Sequence, residues 1–179
     1  NDVRIANELG TTLSTGHEGE IQVQGPNLMK GYLKNEAATQ ESFTSDNWYR
    51  TGDLGWMNED GYFFVTGRRK ELIIKGGENI SPREIDDVLY SHPAVLEAAA
   101  VAVPDSHYGQ EIAACVVTKP GESVTVDELH AFCVARLGNY KSPEKIQLLE
   151  ELPKGPSGKI QRLQLVQHFA PIDSKSMSS

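Results

Sequence analysis

The stretch Gly67-Arg68-Arg69-Lys70-Glu71-Leu72-Ile73-Ile74-Lys75-Gly76-Gly77-Glu78-Asn79-Ile80-Ser81-Pro82-Arg83-Glu84 decides how the chain divides. It opens on a glycine and a run of positive charge. Leu72-Ile73-Ile74 follows as a short apolar strand, closed by Gly76-Gly77. Ser81-Pro82-Arg83-Glu84 then has the form of a helix start: a capping hydroxyl, proline at the first helical position, and glutamate three residues after the cap. A change of texture is compressed into these few residues, so a domain boundary is placed at 67–70.

Before that boundary the chain is short-stranded and glycine-punctuated. Glu20 to Gln24 alternates, with Ile21 and Val23 on one face, and Gly25-Pro26-Asn27 breaks it. Asn35 to Phe43 reads as one short helix. Tyr62-Phe63-Phe64-Val65-Thr66 is a strand that Gly67 ends. After the boundary, strands and helices alternate. The helix begun at Ser81 runs to about Ser91, before His92-Pro93. Val95 to Val103 and Ile112 to Thr118 are apolar enough for buried strands. Thr125-Val126-Asp127-Glu128 is a second capping box, opening a helix that ends near Gly138. Ile146 to Leu149 is a short strand, and Gln161 to Phe169 a last helix. The fold class is α+β: a β-rich part, then a small lobe with a mixed sheet and about three helices. The expected boundaries are 1–66 for the β-rich part, 67–69 for a linker, 70–170 for the lobe and 171–179 for a polar tail.

Composition narrows the function. The 179 residues carry 17 Lys and Arg against 25 Asp and Glu, a net charge of −8. An acidic chain does not bind nucleic acid through bulk positive charge, because that mode needs many phosphate contacts. No apolar run is long enough to span a bilayer. Cys115 and Cys133 lie in apolar surroundings and read as buried, reduced thiols, which points to the cytoplasm. A peroxisomal location stays open, although the chain does not end in Ser-Lys-Leu. The five histidines share no spacing, and no Cys/His cluster has metal-ligand spacing, so no metal site is expected. The first residue is asparagine, which suggests a piece of something longer.

Two basic clusters stand out against this acidity. Arg68, Arg69, Lys70 and Lys75 lie beside the glycine pair, and Lys154, Lys159 and Arg162 lie in and after a Gly/Pro-rich loop. They are either solvated surface charges or the lining of an anion site such as one for a phosphate. Lys159 ends the segment Leu152-Pro153-Lys154-Gly155-Pro156-Ser157-Gly158-Lys159. Such a loop can deliver one ammonium to a fixed point, or be a plain turn. Asp53, in Trp48-Tyr49-Arg50-Thr51-Gly52-Asp53, is either a turn aspartate or a two-oxygen grip for a vicinal diol such as ribose. Gly76-Gly77 permits either a tight turn or the close approach of a narrow ligand. It is not a Walker phosphate loop.

Taken in order, these segments resemble the C-terminal part of the adenylate-forming superfamily: acyl-CoA synthetases, luciferases and peptide-synthetase adenylation domains. Gly19-Glu20-Ile21 through Gly31-Tyr32 resembles its Gly-Glu…Gly-Tyr motif. Tyr49-Arg50-Thr51-Gly52-Asp53 resembles Tyr-x-Thr-Gly-Asp. Gly67 to Ile73 with Gly76-Gly77 resembles the hinge motif, and Pro153 through Lys159 the terminal Pro-x-x-x-x-Gly-Lys motif. Four motifs in sequence make the resemblance specific. It is closer to CoA ligases than to peptide synthetases, which usually carry Asp where Lys70 stands. Gly76 to Pro82 and Gln167-His168-Phe169 are similar to the oxalyl-CoA synthetase-like group.

The resemblance implies a two-step ligase. A carboxylic acid would react with ATP to give acyl-AMP and pyrophosphate, and the thiolate of CoA would then displace AMP. It implies that Asp53, Arg68 and Asn79 bind nucleotide and that Lys159 is catalytic, bridging carboxylate and α-phosphate. Lys70 would be the hinge of a rotating lobe, with Gly76 and Gly77 bordering the CoA path. Mg2+ would be bound by residues upstream of Asn1. The lobe's partner would be the rest of its own large domain, and the fragment alone should not adenylate. Ile74 stands where luciferases and hydroxycinnamate ligases carry a second lysine, so their second-step contacts do not transfer. Two rivals remain: an adenylating enzyme of another outcome, separated by CoA-dependent release of AMP, and a non-catalytic nucleotide- or partner-binding lobe, which would need none of Lys159, Asp53 and Arg68.

Overall fold

Ile21 and Val23 do alternate in a strand, β2 (Gly19–Gln24), but their polar neighbours are not left to water: Glu20 is 5% and Gln22 0% exposed. The structure, a computed structural model, describes residues 1–169. The tail expected at 171–179, with residue 170, lies outside the described residues. The chain separates into two compact units, one of Asn1–Lys70 and one beginning at Glu71.

In the first unit, β1 (Asp2–Ala6), β2, β3 (Tyr49–Met57) and β4 (Phe63–Arg68) form one antiparallel sheet in that order. A chain of bonds satisfies the buried polar row, as burial requires. The Gln22 amide donates to Glu20 Oε2 at 3.0 Å, Arg50 donates to the same oxygen at 3.1 Å, and Arg4 Nε donates to Gln22 Oε1 at 2.9 Å. Trp56 and Phe64 stack across β3 and β4 with centroids 4.4 Å apart. Helix α1 (Glu36–Ser42) starts where expected, with Asn35 Oδ1 accepting from the Ala38 amide at 3.0 Å. Two details differ from the sequence reading. The segment holding Asp53 is a nine-residue strand, and β4 continues past Gly67 to Arg68. Gly52 and Gly55 hid β3, because its register shifts against both neighbours and the two-residue period is lost.

The second unit is built on a mixed three-stranded sheet. Strands β7 (Val95–Asp105) and β8 (Gly109–Thr118) are antiparallel, and β9 (Lys145–Leu148) runs parallel to β8. A small hairpin, β5 (Ile73–Lys75) and β6 (Glu78–Ile80), precedes them. Helices α2 (Pro82–Tyr90), α3 (Val126–Lys141) and α4 (Arg162–Leu165) complete the α+β unit, with a 3-10 turn over Val166–Phe169. β7 reads as continuously apolar because both its faces are covered. Ala98 and Ala100 join Ile73, Ile80, Ile85, Leu89, Leu129 and Cys133, while Ala99, Val101 and Val103 join Cys115, Leu152 and Leu165. Truncating a fully buried leucine such as Leu89 would cost about 2–5 kcal/mol. Both thiols are buried, and burial pushes each up to about 11.

The two capping boxes part company here. Thr125 forms its box: its amide donates to Glu128 Oε2 at 2.8 Å, and its hydroxyl accepts from the Glu128 amide at 3.2 Å. Ser81 and Pro82 take the N-cap and first helical positions, but the Ser81 side chain makes no capping bond to the helix. Glu84 is instead held by Lys141 Nζ, at 3.1 and 3.0 Å to its two oxygens. Gly138, at φ 74°, breaks the regular course of α3 where the sequence placed its end.

Candidate functional site

The first unit brings two of the expected nucleotide residues together. Asp53 and Arg68 are register partners in β3 and β4, and Arg68 Nε lies 3.0 Å from Asp53 Oδ1. The Asp53 amide donates to Thr51 Oγ1 at 3.0 Å, as in a Ser/Thr turn, and Thr51 Oγ1 donates to the Ile21 carbonyl at 2.7 Å. Asp53 is a strand residue beside a local register shift in the inner strand β3, half-buried, next to an exposed guanidinium. Lys70 is exposed in the 3-10 turn Arg69–Glu71, at the end of the first unit.

In the second unit, Gly76 and Gly77 are the two loop residues of the β5–β6 hairpin, and Asn79 follows on β6, exposed. Both glycines have positive φ, 56° and 87°, as a two-residue loop matched to strand twist demands. Gly76 also has a steric reason: a Cβ there would lie 2.9 Å from Tyr140 Oη. Lys159 sits elsewhere in the unit, on the loop between β9 and α4. The Gly158 amide donates to the Gly155 carbonyl at 2.9 Å, closing a turn with Pro156 at its second position. Lys154 and Ile160 then pair as an isolated bridge, and the Gly155 amide donates to the Lys159 carbonyl at 2.9 Å. Leu152, 2% exposed, roots the loop in the core. The loop is thus a locked turn with Lys159 exposed beside it.

The basic clusters sort themselves by partner. Arg69 pairs with Glu8, Lys75 with Glu111, and Lys154 with Glu97. Arg162 holds Glu71 at 3.0 Å and Asp86 at 2.5 Å, and donates to the Ala100 carbonyl at 2.9 Å. Burial pushes the Asp86 carboxyl above the usual range, against the pull of the Arg162 guanidinium. Only Lys70 and Lys159 of these seven have no ion-pair partner among the described residues. Neither sequence alternative for the clusters holds as a whole. Lys75 is neither a solvated charge nor a phosphate ligand but is buried, with its side chain 6% exposed. Its partner lies 36 positions away, a pairing that no local pattern in the sequence reveals. Among the described residues no group of three or more His, Cys, Asp or Glu is placed to hold a metal ion, and no helix is long and apolar enough to cross a membrane.

Comparison with known proteins fits this arrangement. Residues 84–159 match the AMP-binding enzyme C-terminal domain. The chain is 53% identical over 165 residues to sulfoacetate–CoA ligase of Cupriavidus necator, covering 92% of this chain and 32% of that protein. It is 43% identical over 168 residues to oxalate–CoA ligase of Arabidopsis thaliana, covering 94% and 32%. Among solved structures, o-succinylbenzoate CoA synthetase of Bacillus subtilis, in complex with its acyl-adenylate intermediate, superposes with a TM-score of 0.84 at 41% identity, over 92% of this chain and 33% of that one. The chain thus belongs with the adenylate-forming enzymes, among relatives that are CoA ligases, and it carries their AMP-binding C-terminal domain. It spans about a third of the length of the curated relatives it matches.

Proposed function

We propose that this chain is the C-terminal part of an AMP-forming acyl-CoA synthetase, an acid–thiol ligase. A carboxylate oxygen attacks the α-phosphorus of ATP, the bond to pyrophosphate breaks, and acyl-AMP forms. The sulfur of CoA thiolate then attacks the acyl carbon, and the bond to AMP breaks. In the first step Lys159 lies across the carboxylate and the α-phosphate and offsets charge that builds up in the transition state. Asp53 accepts from the ribose hydroxyls, Arg68 donates to ribose or phosphate, and Asn79 approaches the adenylate. Lys70 is the hinge between the two steps, after which Gly76 and Gly77 border the path of CoA. Mg2+ would offset charge on the phosphates, held by residues of the large domain other than those described. The domain limits follow the sequence: 1–66 as the end of the large domain, 67–69 as linker and 70–170 as the mobile lobe. Buried, unpaired thiols favour the cytoplasm.

The observation that carries this reading is Lys159 itself. In a cluster whose other cations are spent on Glu97, Glu71 and Asp86, it alone has no carboxylate among the described residues, yet its loop is locked by backbone bonds. An ordered turn holding one uncommitted ammonium is suited to a transient anion. The test is a carboxylate panel with the full-length enzyme, ATP and CoA. The panel includes oxalate, sulfoacetate, o-succinylbenzoate and a medium-chain acid. One acid should give AMP, pyrophosphate and acyl-CoA in equal amounts. AMP release that ignores CoA would place the enzyme with another outcome of the same chemistry.

A further inference from the structure

Lys75 and Tyr140 hold each other twice. The Lys75 ammonium donates to the Tyr140 carbonyl at 3.0 Å, and the Tyr140 hydroxyl donates to the Lys75 carbonyl at 2.6 Å. The same ammonium lies 2.5 Å from Glu111 Oε1 on β8, and sits 5.0 and 5.2 Å from the ring centroids of Tyr140 and Tyr108. The next residue, Gly76, donates its amide to the Tyr108 carbonyl at 3.0 Å. Gln110 Oε1 accepts from the Ile74 amide at 2.7 Å. The end of α3, the turn before β8 and β8 itself therefore all converge on the root of the β5–β6 loop.

Stability is a poor reason for this arrangement. The Lys75 and Glu111 side chains are 6% and 5% exposed, and a buried ion pair is often no better than apolar residues of similar volume. What such a pair does supply is direction, because its bonds fix the backbone on either side. Resting on the CoA-ligase function proposed above, we infer that Lys75 is a positioning residue for the thiol-transfer step. Its ammonium, clamped by Glu111, Tyr108 and Tyr140, holds the Gly76-Gly77 loop in the one shape that lets the thiol arm of CoA pass.

The test uses the full-length enzyme carrying Lys75→Met together with Glu111→Gln. The glutamine keeps an acceptor for the Ile112 amide, which Glu111 Oε1 now binds at 2.8 Å, and no buried charge is left unpaired. The expected result is a rise of about ten- to a hundredfold in KM for CoA, the scale of a small misplacement of reacting groups. ATP–pyrophosphate exchange should stay at the parent level, and Lys75→Arg should restore most of the affinity for CoA. Amide hydrogen exchange over residues 73–80 supplies a readout free of catalysis, and should quicken about tenfold in the double variant as the loop opens more readily. Should the double variant fail to fold, Tyr140→Phe removes the hydroxyl bond to Lys75 and is read in the same two ways. Unchanged exchange in a folded variant overturns the clamp. Quickened exchange with unchanged KM for CoA overturns its role in thiol transfer. Quickened exchange in an enzyme that never uses CoA faults the ligase reading instead and leaves the clamp standing. Equal losses in both half-reactions would mark Lys75 as merely structural and overturn the inference.

Discussion

Asp53 and Arg68 face each other across β3 and β4, and a 3.0 Å ion pair joins them. The aspartate side chain is 31% and the arginine 57% exposed, so the pair contributes only about 0–1 kcal/mol to the fold. Binding can therefore be separated from stability at this position. Asp53→Ala should leave the unfolding midpoint nearly unchanged and weaken ATP binding by the full-length enzyme, measured by titration calorimetry. Unchanged affinity for ATP would count against a ribose contact.

Lys159→Ala should slow carboxylate-dependent ATP–pyrophosphate exchange by about a hundredfold or more, the usual cost of losing one aimed charge-stabilising donor. Thioester formation from supplied acyl-AMP should largely survive. The loop is closed by bonds among Pro153, Gly155, Gly158, Lys159 and Gln161 backbones, so the substitution removes the ammonium and leaves the turn. Equal loss in the two assays would refute a role confined to the first step.

Lys70→Pro bears on the hinge. Proline fixes φ and removes the amide donor, which would restrict the segment proposed to change its dihedrals between the two steps. Adenylation should persist while thioesterification falls. The two half-reactions, followed as pyrophosphate exchange and as acyl-CoA formed from acyl-AMP, give the comparison. Normal rates in both would assign the hinge elsewhere.

Arg162→Met isolates the buried carboxylate of Asp86. Its side chain is 7% exposed, and removing one partner of a buried pair costs about 3–5 kcal/mol. The pH dependence has a definite sign. Burial already holds the Asp86 carboxyl above its ordinary value, and losing the guanidinium raises it further. A carboxyl raised in the folded state takes up its proton there first. Stability relative to wild type is then regained as pH falls through the raised value, and lost again as pH rises. Urea unfolding of the two chains in parallel should show a deficit that narrows toward acid. A deficit independent of pH would mean that packing, not charge, dominates at this site.

Short-range signals were legible in the sequence, and long-range pairings were not. Asn35, Thr125 and Gly138 act on backbone within four residues, and each does what its local pattern suggests. Ser81 carries the same pattern as Thr125. Its side chain makes no capping bond, and the Glu84 carboxylate is held by Lys141, 57 positions away, a pairing that no window along the chain contains. The hydrophobic rows of β7 and β8 were plain because both faces are covered. β3 escaped because Gly52 and Gly55 interrupt its period. For the proposed site, Asp53, Arg68, Gly76, Gly77 and Lys159 are singled out by the resemblance rather than by any local pattern. Which cations are engaged depended on acidic partners scattered from Glu8 to Glu111, and only the folded chain pairs them.

Cys115 and Cys133 are both fully covered, with thiols pushed up to about 11. Thiolate is the form that alkylates, so neither side chain presents a nucleophile near neutral pH. The lobe is in effect a silent background for maleimide chemistry. A cysteine on the Pro156-Ser157 turn and a second at an exposed position beside Lys70 would take a donor and an acceptor without removing the native pair, and energy transfer between the two labels would test the proposed rotation of the lobe.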